Sequence, residues 1–143
     1  MKNIVLAILC FFCVQDLTSQ IEIKEKKEMI EIGRATPGGV WAMTVKMSSD
    51  SSYYLFLFRN FAYQYIVDVS SFSVPTSDID SFYSFLTTNI SKSKEKKTFE
   101  MNGVTITIWK NKIQFSTWNG VSWAYSSYLN LKQINKAFGK DDW

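Results

Sequence analysis

The chain has 143 residues, with 16 Lys and Arg against 13 Asp and Glu, a net charge of +3, two cysteines and no histidine. So small and interleaved a charge gives no electrostatic footprint for nucleic acid. Without histidine there is no Ser-His-Asp or Cys-His nucleophilic site, and no zinc held by imidazole.

Both cysteines, Cys10 and Cys13, fall in the first nineteen residues. There, Met1-Lys2-Asn3 is a short basic start, Ile4 to Val14 an apolar run, and Gln15 to Ser19 a polar exit. This is the layout of a cleavable secretory signal. The run is too short to span a bilayer, which takes about 20 apolar residues. Cleavage is expected after Ser19, which leaves residues 20–143 as one exported domain, periplasmic or extracellular, with no stable membrane insertion. A lipid anchor on either cysteine calls for a small residue just before it, and Leu9 and Phe12 stand there instead. The exported chain then has no thiol, so zinc–thiolate sites and disulfides are excluded together, and packing alone must carry stability. Aromatic residues make up 16% of the chain and supply large side chains for that packing.

Along the exported part, Lys24-Glu25-Lys26-Lys27-Glu28 reads as solvated chain. Met29 to Ile32 is an edge strand, bent away at Gly33 and the Pro37-Gly38-Gly39 cluster. Trp41, Met43, Val45 and Met47 alternate with Ala42, Thr44 and Lys46, the period of a half-buried strand. Tyr53 to Phe58 is apolar at every position, as in a strand covered on both sides. Arg59-Asn60 interrupts the pattern, and a third strand begins over Tyr63 to Val69. Ile79, Phe82, Tyr83, Leu86 and Ile90 then fall on one helical stripe, with Ser77 as cap and Asp80 favouring the positive end of the dipole.

A lysine-rich loop over residues 91–98 divides the chain into two halves. In the second half, Asn102-Gly103 and Asn119-Gly120 are hairpin signals, and Lys110-Asn111-Lys112 is a weaker turn. They separate strands over Phe99 to Met101, Val104 to Trp109, Ile113 to Trp118 and Val121 to Tyr128. Asn130 caps a final helix with Gln133 completing a capping box, Leu131, Ile134 and Phe138 as its buried stripe, and Gly139 as its stop. Each half reads as strands followed by a helix. The predicted fold is α+β: one antiparallel sheet of six or seven strands in two meanders, with two short helices on one face.

Nothing in the sequence calls for a cofactor. No Gly-rich phosphate loop or EF-hand spacing is present. Carboxylates remain as acid/base candidates at Asp68, Asp78, Asp80 and Glu100, but none belongs to a recognisable pair. An outer-membrane barrel is disfavoured, since Gly139-Lys140-Asp141-Asp142 before the terminal Trp143 does not alternate. One positive feature survives. If Val104, Ile106, Ile108, Ile113, Phe115 and Thr117 face inward, then Thr105, Thr107, Trp109, Gln114, Ser116 and Trp118 share an outer face. Trp123 and Tyr125 on the next strand extend either that face or the core. Tryptophans among hydroxyls and amides suit a protein contact or sugar stacking. The reading is therefore a small exported, non-catalytic binding domain, of adaptor or inhibitor type, with an extracytoplasmic protein as partner. A carbohydrate-binding module and a carboxylate-based hydrolase are the rivals.

Overall fold

The computed structural model describes residues 28–140. The expected export signal and cleavage site, both cysteines, Lys24 to Lys27 and Trp143 lie outside the described residues. The fold is α+β, built from two antiparallel sheets and two helices. The first sheet is the meander β1 (Met29–Ala35), β2 (Met43–Ser48), β3 (Tyr53–Arg59) and β4 (Val69–Pro75), in that spatial order. Helix α1 (Ile79–Lys92) follows. The second sheet runs β5 (Lys97–Met101), β6 (Val104–Trp109), β7 (Lys112–Trp118) and β8 (Trp123–Tyr125). A short β9 (Leu129–Asn130) pairs with β7 further along the edge that β8 occupies, and helix α2 (Leu131–Ala137) is the last element.

The expected single sheet of six or seven strands is thus two sheets, because α1 carries the chain away from β4 before the second meander starts. The two halves share one plan. Each is a meander whose fourth edge leads into a helix, and in the second half that edge is broken into β8 and β9 by Ser126 to Tyr128.

The core lies where the inner faces of both sheets meet both helices. Met43, Val45, Phe56, Phe58 and Phe72 from the first sheet join Ile106, Ile108, Ile113 and Phe115 from the second. Phe82, Leu86 and Ile90 of α1 and Ile134 and Ala137 of α2 complete it. Aromatic rings supply much of the contact. Phe56 stacks on Phe72 at 4.8 Å and meets Phe82 edge-on at 5.6 Å and Phe138 at 5.4 Å. Phe72 reaches Phe115 of the opposite sheet at 5.3 Å. Such pairs add about 0.5–1.5 kcal/mol each beyond simple burial.

Several local expectations are corrected. Residues 60–68 form a loop, exposed from residue 61 to residue 67, and the third strand expected over Tyr63 to Val69 starts only at Val69. Strand β3 is fully buried at Phe56 and Phe58, while Tyr53 is exposed and Leu55 and Leu57 are half-covered, so it is not enclosed on both sides. Trp41 precedes β2 and donates to the Thr44 hydroxyl at 2.7 Å. Ser77 does not cap α1; a 3-10 turn over Thr76–Asp78 leads in, and the Ser77 hydroxyl bonds Asp78. The lysine-rich loop shortens to residues 93–96, since α1 keeps Lys92 and β5 takes Lys97. The Asn130–Gln133 capping box forms with both bonds, but Leu131 is exposed and Ala137 takes its place on the buried stripe.

Candidate functional site

The second sheet has a dry and an open face. Val104, Ile106, Ile108, Ile113 and Phe115 are fully or almost fully buried on the inner side, and Thr117 bonds the Ser70 hydroxyl of β4 there at 2.7 Å. Strand pairing then orders the outer face in rows. Thr98 stands beside Thr107 and Gln114; Glu100 beside Thr105, Ser116 and Tyr125; and Trp118 beside Trp123.

The six sequence-selected residues therefore share the outer face but do not act alike. Thr107 and Ser116 are nearly covered. Ser116 Oγ donates to the Thr105 carbonyl, and Gln114 Nε2 donates to the Ser126 carbonyl, so both are engaged within the sheet. Trp109 and Trp118 are 41% and 52% exposed, but they stand at opposite ends. Trp109 is level with Lys112, six residues before Trp118, a separation of about 20 Å along the strand. Trp109 packs against Tyr128 at 6.3 Å and carries the Lys110 ammonium 4.5 Å over its ring. At the other end Trp118 leans on Trp123 at 5.6 Å, and this pair, with Thr105, Glu100 and the Asn102-Gly103 turn, lines an open depression of about 330 Å³.

A run of exposed apolar residues is tied to the same strand, β8, at Tyr125. Between β3 and β4, Tyr65 is 97% exposed, Ile66 and Val67 are each 66% exposed, and Phe61 and Tyr63 are exposed in smaller part. A buried polar side chain holds this loop. Asn60 has no exposed surface, and its Nδ2 donates to Asp68 Oδ2 at 2.9 Å. Its Oδ1 accepts from the Ala62 and Tyr125 amides at 3.1 Å each. The Phe61 amide donates to the Tyr125 carbonyl, and the Arg59 guanidinium sits 5.5 Å over the Phe61 ring. The loop is thereby fastened to the outer edge of β8 at Tyr125, two residues along the strand from Trp123. The sequence marks Arg59-Asn60-Phe61 as a second candidate, a polar break of the kind that anchors a loop, but assigns the residues after it to a strand because Tyr63, Tyr65 and Val67 alternate.

The structure brings two of the acidic candidates to one depression and holds Asp68 apart from them. Asp68 serves Asn60 at the start of β4, whereas Asp78 and Glu100 line one apolar depression near Pro75 at the far end of that strand. Seven extended residues put about 23 Å between those ends. Among the described residues no three acidic, His or Cys side chains gather as a metal site, and no helix is long and apolar enough to cross a membrane. No protein-family model, curated protein or solved structure matches this chain.

Proposed function

We propose that the chain is an exported, non-catalytic domain that binds an extracytoplasmic protein through the 61–67 loop and the adjoining Trp118, Trp123 and Tyr125. The observation that carries this reading is the loop itself. A soluble surface normally disperses its large apolar residues, and a contiguous run of them marks an interaction site. Here Tyr65, Ile66 and Val67 are mostly exposed in one segment, with Phe61 and Tyr63 exposed in part beside them. The segment is pinned at its root by the buried Asn60. A fastened loop loses less conformational freedom on binding than a free one. Trp and Tyr beside it are the residue types that most often anchor protein interfaces. Adaptor and inhibitor roles would use the same surface.

A carbohydrate-binding role is supported by one separate observation, the Trp118–Trp123 depression with the Glu100 carboxylate and Thr105 hydroxyl at its side. Two folded variants distinguish the readings. Cross-linking capture from extracytoplasmic extracts, using residues 20–143 as bait, is expected to retain one specific protein. Tyr65→Ser/Ile66→Ser/Val67→Ser should abolish that retention, and Trp118→Ser/Trp123→Ser should weaken it. Retention unaffected by the loop variant refutes the protein-binding reading. Glycan-array binding lost only in the tryptophan variant replaces it with the carbohydrate reading.

A further inference from the structure

A second feature of the molecule, which shares Glu100, Met101 and Asn102 with the Trp118–Trp123 depression but lies along the free edge of β5, has the parts of a strand-addition site. Strand β5 is the outermost strand of its sheet. The Asn102-Gly103 turn has φ of +46° and +80° and joins β5 to β6 with Met101 opposite Val104. A two-residue turn of this kind closes on a hydrogen-bonded pair, so Met101, Phe99 and Lys97 direct their backbone groups toward β6. By alternation the N–H and C=O groups of Thr98 and Glu100 point to the free side. Among the described residues, no turn, loop or cap backbone bond reaches them.

The inner side of this open edge is apolar. Phe99 and Met101 of β5, Phe82 and Phe85 of α1, Val74 and Ile106 line a depression of about 350 Å³. That is the lower end of the range that receives small ligands, and it accommodates one large side chain. The Phe85 and Phe99 rings stand perpendicular at 5.0 Å and form one wall. Asp78 and Glu100 are exposed and line the same depression, while Lys96 and Lys97 stand exposed at the opposite end of the strand. The edge is therefore polarised, acidic near the turn and basic near the start of β5.

We propose that the free edge of β5 takes up an extended peptide from a partner as an additional antiparallel strand. The peptide places an aromatic or large aliphatic side chain in the Phe85–Phe99 depression, a basic residue beside Glu100 and an acidic residue beside Lys97. Backbone pairing with Thr98 and Glu100 supplies affinity, and the depression and the charge order supply specificity, which is how added strands are recognised in general. The open edge and the pocket belong to the same strand, and the two charge signs match opposite ends of one ligand. Free N–H and C=O groups alone would accept any strand; these additional features select one.

The test uses residues 20–143 and a capped heptapeptide, Thr-Val-Lys-Phe-Thr-Glu-Thr, against its charge-exchanged twin, Thr-Val-Glu-Phe-Thr-Lys-Thr. The first peptide is expected to bind with a Kd on the order of 0.1–1 mM, and the twin about fivefold or more weakly. Amide exchange at Thr98 and Glu100 should slow on binding, while that at Phe99, already committed to β6, stays unchanged. Thr98→Pro, which removes an outward N–H, should abolish binding. Glu100→Lys, a surface change that leaves the fold intact, should reverse the preference between the two peptides. Trp118→Ser/Trp123→Ser should leave peptide binding unchanged, so failure of the aromatic-face reading does not carry over to this one. Equal affinity for both peptides, unaltered exchange at Thr98 and Glu100, or no binding of either peptide overturns the proposal.

Discussion

Replacing Asn60 by Ala isolates the group that fastens the exposed loop to the sheet. The substitution removes the bond from Nδ2 to the Asp68 carboxylate at 2.9 Å and both bonds accepted by Oδ1, from the Ala62 and Tyr125 amides at 3.1 Å. A hydrogen bond to a charged group contributes about 1.5–3 kcal/mol net, and a neutral one about 0.5–1.5 kcal/mol. Ala62 is exposed, and water replaces its lost acceptor at little cost. The Tyr125 amide is partly buried and pays more for losing its own. The expected loss is about 3 kcal/mol. In a domain of this size that lowers Tm by roughly 10–15 °C.

The sharper test is chemical. Asn60→Asp keeps the shape and both accepted bonds, but brings a carboxyl group against Asp68 in a position with no solvent exposure. It should cost at least as much as the alanine variant. Adding Asp68→Asn restores a donor opposite an acceptor and should recover about 2 kcal/mol. Urea and thermal unfolding of the wild type, both single variants and the double variant form a complete cycle. Additive effects within about 0.5 kcal/mol, or an Asn60→Ala variant within about 1 kcal/mol of wild type, would refute the claim that this network holds the loop.

The remaining expectations concern the frame. Gly33 sits at the irregularity in the β1–β2 pairing where α2 ends, and a Cβ there would meet the Lys136 and Ala137 carbonyl oxygens, both backbone. Gly33→Ala should therefore cost about 3 kcal/mol or more, read by Tm and by soluble yield. Phe56→Ala removes the ring shared by Phe72, Phe82 and Phe138 and should cost about 3–5 kcal/mol in urea unfolding. Asn130→Ala breaks both bonds of the α2 capping box and should cost about 1 kcal/mol, whereas Asn130→Asp stays close to wild type in the same assay.

The sequence disclosed what is local and hid what depends on distant partners. The α1 stripe, the Asn130 capping box and the inward set of β6 and β7 are written in spacing and in single residues, and the structure contains them. Turn chemistry was legible only in part. Asn102-Gly103 forms the expected two-residue turn, with both residues at positive φ. At Asn119-Gly120 only the glycine has positive φ, because the Asn119 side chain accepts from the Val121 and Ser122 amides and makes a longer loop. Lys110-Asn111, a weaker signal, is the tight one: both residues have positive φ and Trp109 pairs directly with Lys112. The division into two sheets is set by where α1 leaves β4 and by packing such as Phe72 on Phe115, neither of which has a local signature. The exposed loop stayed hidden for a related reason. Its alternation matches a strand, and the contact that fastens it, Asn60 with Tyr125, spans residues far apart in the chain.

Comparison of the two halves bears on why the 61–67 loop exists. Both meanders reach the same point, the end of the third strand, and both turn there on an asparagine whose side-chain oxygen accepts the amide two residues on: Asn60 from Ala62, and Asn119 from Val121. After that asparagine the second half needs only residues 119–122 to reach its next strand, whereas the first half spends residues 60–68. A short connection therefore suffices for this geometry, and the additional residues are not required for chain reversal. They do not supply the core either, since Phe61, Tyr63, Tyr65, Ile66 and Val67 remain exposed. Apolar residues that neither connect strands economically nor fill the core carry a solubility cost without a folding return. That cost is consistent with selection for a contact outside the chain, made by a loop held on a rigid sheet edge.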